Sequence, residues 1–102
     1  MNIQHVADST RYLSMSTQEL RDAFLVERLF EPGTLSLTLT DLDRAVVGAA
    51  VPAGQLLELP APEAMRCDFF CERRELGVLN IGASGSVVVD GDSYTMASLD
   101  CL

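Results

Sequence analysis

Four consecutive charges, Glu72-Arg73-Arg74-Glu75, lie between the apolar residues Phe69-Phe70-Cys71 and Leu76-Gly77-Val78-Leu79. A continuous strand through them would put Phe70, Glu72, Arg74, Leu76 and Val78 on one face. Phe69, Cys71, Arg73, Glu75 and Leu79 would then share the other. Each face would carry one Glu and one Arg among bulky apolar groups, and an unpaired buried charge costs several kcal/mol. Two readings satisfy this. Glu72 and Glu75 form a structural charge cluster with the arginines at a sheet or subunit boundary. Alternatively, the four line the mouth of a β-barrel, where Arg73 and Arg74 grip a substrate carboxylate in bidentate fashion.

The remaining candidates offer less. His5 is the only histidine, and it falls in a segment that reads as a solvated tail, so a His-based metal site or a Ser-His-Asp triad has almost no material. Cys67 and Cys71 lack the spacing of a zinc knuckle, and together with Cys101 they read as packed small hydrophobes. Asp41 and Asp43 flank Leu42 just before Arg44, which suits a polar turn better than an acid–base pair. Gly82-Ala83-Ser84-Gly85 opens a strand and not a helix, which removes the phosphate-loop reading.

The chain has 102 residues, a net charge of −8 and seven basic residues, all arginine. Such an acidic surface repels phosphate backbones and anionic lipid, so no nucleic-acid or membrane partner is expected. No run approaches the ~20 apolar residues of a membrane-spanning helix. No secretory signal is visible at Met1 to Thr10. Three cysteines at undistinguished spacing fit reduced thiols, and together these features point to the cytoplasm.

The elements that must position the charged stretch are mostly β. Residues 1–15 read as an irregular arm, and 16–102 as one domain. Ser16-Thr17-Gln18-Glu19 spells a capping box, predicting a short helix over Thr17 to Phe24 with Leu20 and Phe24 on one face. Strands are predicted over Leu25 to Phe30, Leu35 to Thr40, Arg44 to Val51 and Gln55 to Leu59. Gly48 marks a bulge or a close approach. The alternation Leu35-Ser36-Leu37-Thr38-Leu39-Thr40 predicts one wet face and one buried face. Asp90-Gly91 predicts a two-residue hairpin turn between Ser86-Val87-Val88-Val89 and Ser93 to Ala97. Ser98 to Leu102 reads as the start of a further strand whose edge should seek a partner. One helix and seven or eight strands without strand–helix–strand alternation predict a β-sandwich or barrel.

The sequence resembles the N-terminal part of the 4-deoxy-L-threo-5-hexosulose-uronate ketol-isomerase family. The resemblance is carried by Met15-Ser16-Thr17, Leu20-Arg21, Phe24-Leu25-Val26-Glu27, Phe30, Asp43-Arg44, Val47-Gly48 and Pro52. Its longest block is Glu72-Arg73-Arg74-Glu75-Leu76-Gly77-Val78-Leu79-Asn80-Ile81-Gly82, continuing to Gly85 and Val89-Asp90-Gly91. It implies a cupin-like β fold, the incomplete first half of a bicupin, in a homo-oligomer. The implied reaction interconverts a small-molecule uronate, 5-keto-4-deoxyuronate, with a 3-deoxy-2,5-diketo acid during pectin breakdown. The family's zinc is held by histidines and a glutamate of the second half, so no metal is expected in this chain. In that half a His-x-His precedes a Glu-Arg-Arg run. Aligned internally on Glu72-Arg73-Arg74, the histidine positions fall on Phe69 and Cys71. The resemblance therefore implies a scaffold without isomerase activity of its own. A stand-alone acidic-sugar-binding module or an oligomerisation module is the alternative.

Overall fold

The computed structural model describes residues 1–102 as a mostly β chain with one short α-helix, in open sheets. Two compact units are present, Met1–Phe70 and Cys71–Leu102. The first contains β1 (Asn2–Gln4), α1 (Thr17–Phe24), β2 (Thr34–Thr40) and β3 (Val46–Val51). The second contains β4 (Gly85–Val89) and β5 (Asp92–Met96). Five strands form, against the seven or eight expected.

In the first unit the sheet order is β1-β2-β3. β1 runs parallel to β2, with Gln4 opposite Thr40, and β3 runs antiparallel, with Leu37 opposite Gly48. The connecting turn places Asp43 and Arg44 both at positive φ, and Ala45 N–H donates to Leu42 O at 3.0 Å. That is the backbone of a primed hairpin turn, whose twist matches the strands it joins. Gly48 marks a close approach with no bulge. A Cβ there would stand 2.6 Å from Ser36 O and 2.7 Å from Leu37 Cδ2.

Helix α1 begins as its sequence predicts. Ser16 Oγ accepts from Glu19 N–H, and Glu19 Oε2 accepts from Ser16 N–H at 2.7 Å. The reciprocal pair occupies two groups at the helix start that would otherwise lack partners. Its packing differs from expectation. Ala23 is buried and Leu20 half-buried, while Phe24 remains 51% exposed. The faces of β2 also differ. Thr38 and Thr40 are the buried residues and the leucines are half-buried, so neither face is simply wet. Threonine tolerates this because Thr40 Oγ1 donates into the Leu42 and Ala45 carbonyls of the turn.

Four readings of the chain are corrected. Residues Leu25 to Phe30 form no strand, because Arg28 sits at φ 52° and interrupts the extended run. Residues Gln55 to Leu59 form none either; no neighbouring strand pairs with them, and Leu56 is 88% exposed. The N-terminal arm is not wholly irregular, since Asn2–Gln4 pairs with β2. Residues 70–74 form a turn and bend and not a strand. The turn leaves Arg73 and Glu75 exposed and Glu72 and Arg74 half-buried, whereas a two-faced strand would set one Glu and one Arg among apolar neighbours on each face.

In the second unit β4 and β5 form a hairpin in register Val89↔Asp92, with Asp90 at φ 51° and Gly91 at φ 89°. This is the type I′ geometry that Asp-Gly favours. The C-terminal residues find their partner within the chain. Val78 and Leu102 exchange N–H···O bonds of 2.8 Å each, Leu99 N–H donates to Asn80 O, and Asn80 N–H donates to Asp100 O.

Candidate functional site

Glu72 to Arg74 lie in the turn and bend that open the second unit, and Glu75 follows them. Arg73 Nη2 donates to Glu72 Oε1 at 3.4 Å, and the Arg73 side chain is 73% exposed. An exposed pair between chain neighbours contributes at most a few tenths of a kcal/mol. It therefore leaves the guanidinium accessible to a dissolved carboxylate. Glu72 and Arg74 are half-buried and partnered, whereas Glu75 is exposed. Phe69 and Cys71 are both exposed. The sheets are not closed, so a barrel mouth around the arginines is not formed by these residues.

The end of the same block has a different job. Asn80 Nδ2 lies 2.9 Å from Ala83 O, 3.1 Å from Met96 O and 3.1 Å from Ala97 O, and its Oδ1 accepts from Gly82 N–H at 3.0 Å. With its backbone bonds to Leu99 and Asp100, Asn80 joins the turn before β4, the end of β5 and the C-terminal segment. Its only sequence signal is a single amide between Leu79 and Ile81.

A second polar cluster lies in the first unit, and sequence reasoning did not assemble it. Asp41 Oδ1 accepts from Val6 N–H at 2.8 Å, and Asp41 Oδ2 lies 3.1 Å from His5 Nδ1. The Val6 amide, and after it the His5 side chain, hold the Asp41 carboxyl below the usual carboxylate range. His5 is thus exposed yet fixed, and the tail reading is corrected. Gln4 Nε2 donates to Asp22 O and Leu25 O, both at 3.0 Å. A cavity nearby is lined by His5, Arg11, Met15, Glu19, Asp22 and Ala23. Its carboxylates are already engaged: Glu19 in the capping box and Asp22 by Gln18 Nε2 at 2.7 Å.

Zinc, which the resemblance assigns to the family, does not fit the side chains present. No three of His, Cys, Asp and Glu stand together in a way that could hold a metal ion, and the three cysteines are free thiols.

No protein-family model matches the chain. Among curated proteins it is similar to the 4-deoxy-L-threo-5-hexosulose-uronate ketol-isomerase of Shouchella clausii, 45% identical over 102 residues, which is 100% of this chain and 37% of that protein. The protein of the same name from Halalkalibacterium halodurans is 47% identical over 95 residues, 93% of this chain and 33% of its own length. That of Opitutus terrae is 49% identical over 89 residues, covering 86% and 32%. The chain spans about a third of the length of the curated relatives it matches.

Proposed function

Taking the chain as matching the N-terminal part of the 4-deoxy-L-threo-5-hexosulose-uronate ketol-isomerases, we propose that it is the front scaffold of such an enzyme. The observation that carries this is similarity over the chain's whole length. The whole protein then acts in the cytoplasm on 5-keto-4-deoxyuronate, yielding the 3-deoxy-2,5-diketo acid in pectin and uronate breakdown. Zinc supplies carbonyl polarisation there, from ligands outside these residues. The present residues contribute framework and subunit contacts.

Arg73 and Arg74 are the proposed contacts to the uronate carboxylate. Support comes from the open Arg73 guanidinium and from the affinity of arginine forks for carboxylates. Isomerase assay of the chain with added zinc is expected to show no turnover, while a longer protein containing these residues converts the uronate. Turnover by the 102 residues alone overturns the scaffold reading. A galacturonate-type ligand is expected to bind the wild-type chain and to be lost in the Arg73→Ala/Arg74→Ala variant. Binding that survives both substitutions removes the arginines from the site.

A further inference from the structure

The segment Asn2 to Val6 is joined to the rest of its unit almost entirely by polar bonds. None of its side chains is buried, and Ile3, the largest apolar one, is 57% exposed. Apolar burial is the main force that keeps an element in place, and here it contributes little. What remains is a short set of hydrogen bonds. β1 pairs with β2 over the three residues Asn2 to Gln4. Asp41 N–H donates to Gln4 O at 3.2 Å, and the Asp41 carboxylate meets Val6 N–H and His5 Nδ1. Gln4 Nε2 reaches the Asp22 and Leu25 carbonyls. After Val6 the chain bonds to itself: Asp8 Oδ1 accepts from Thr10 and Arg11 N–H, and Tyr12 N–H donates to Asp8 O. Exposed bonds of this kind exchange readily for bonds to water, and segments held by them open at low cost.

The two sides of β2 are held unequally. Thr40 N–H donates to Ala45 O on the β3 side at 2.8 Å, whereas the next amide, that of Asp41, goes to Gln4 on the β1 side. Backbone groups alternate sides along a strand, so Thr38 and Thr40 are tied to β3, and Leu39 and Asp41 to β1. The β3 side is paired over six residues and closed by a turn, while the β1 side is paired over three. Asp41 itself lies outside the β2–β3 register, so loss of its bonds to Gln4, His5 and Val6 breaks nothing between those two strands. One strand thus carries separate reporters for two different openings.

We propose that Asn2 to Val6 is a releasable clasp, latched at Asp41, that opens beside the His5 cavity while β2, β3 and α1 stay folded. Opening bares the Leu39 and Asp41 backbone groups of β2 and frees the carbonyls that end α1. It also removes the His5 wall from the cavity shared with Arg11, Met15, Glu19, Asp22 and Ala23. The clasp therefore sets how far that cavity and the adjoining sheet edge meet solvent. It stands independently of the scaffold reading. Amide exchange of the whole chain at low denaturant tests it. Leu39 and Asp41 are expected to exchange at least about tenfold faster than Thr38 and Thr40, and to respond less to denaturant, because releasing the clasp exposes less surface than unfolding the sheet. Asp41→Ala is expected to speed Leu39 about tenfold further and to leave Thr38 and Thr40 unchanged. Gln4→Ala loosens the clasp from α1 without altering the β2–β3 turn, and should speed Leu39 and Asp41 alone. Exchange of Leu39 and Asp41 in step with Thr38 and Thr40 in the wild-type chain overturns the proposal, since β1 would then open only with the sheet. So does Asp41→Ala with no effect at Leu39, or with equal acceleration at Thr38 and Thr40. If Asp41→Ala does not fold, the wild-type alternation and Gln4→Ala decide.

Discussion

The two compact units are held together by different means. In Met1–Phe70, the sheet is fastened to its surroundings by separate side-chain straps far apart in sequence. Gln4 holds the carbonyls that end α1, Asp41 holds Val6 and His5, and Gln55 Nε2 holds Gly33 O at 3.0 Å. In Cys71–Leu102, one half-buried residue, Asn80, joins the turn before β4, the end of β5 and the C-terminal segment. Distributed fastening loses little when one strap is removed, because each exposed bond contributes about 1 kcal/mol or less. A single hub concentrates the loss.

The largest expected effect tests that hub. Asn80→Ala leaves the Met96 and Ala97 carbonyls without their partner and costs about 2 kcal/mol. Amide exchange should accelerate across residues 78–102 while residues 34–51 keep their protection. Equal acceleration in both would dissolve the distinction between the units. Next comes Gly48→Ala, whose new Cβ meets the Ser36 carbonyl, a backbone group that cannot swing aside. It should cost about 1–2 kcal/mol and loosen β2 and β3 first, which urea denaturation followed by segment-resolved exchange would show. Ser16→Ala removes half of the capping box and should lower stability by about 1 kcal/mol, with exchange faster in residues 17–24; no change there would mean that packing alone holds α1.

Acid gives the smallest effect. Three carboxyls of the first unit are held below the usual range by amide donors: Asp8 by Arg11 and Thr10, Glu19 by Ser16, and Asp41 by Val6. A carboxyl depressed in the folded state adds stability above its unfolded value, about pH 4. That stability is lost as the pH falls through the depressed value. Amide exchange measured along an acid titration should therefore show residues 2–6 and 17–24 losing protection first. A β4–β5 hairpin that opens at higher pH than these segments would reverse the expectation.

Features set by neighbours in sequence were legible. The capping box and the Asp-Gly hairpin need only a few adjacent residues, and both appear as read. Features set by distant partners were not. Leu25 to Phe30 and Gln55 to Leu59 have strand-like composition, but a strand exists only where another pairs with it. The same gap hid β1, whose three residues gain meaning only beside Thr38 to Thr40. In the candidate site, the four charges were conspicuous by type and Asn80 was not. Its importance comes from three carbonyls that folding brings to it.

Gln4 also sets an order of events. It caps the end of α1 from a strand that cannot dock until Thr38 to Thr40 exist to receive it. On a ribosome adding roughly 5–20 residues per second, Asn2 to Gln4 wait on the order of seconds for β2 to emerge. Until then the helix that follows them keeps its last carbonyls in water. β1 is therefore made before β2 and docked after it.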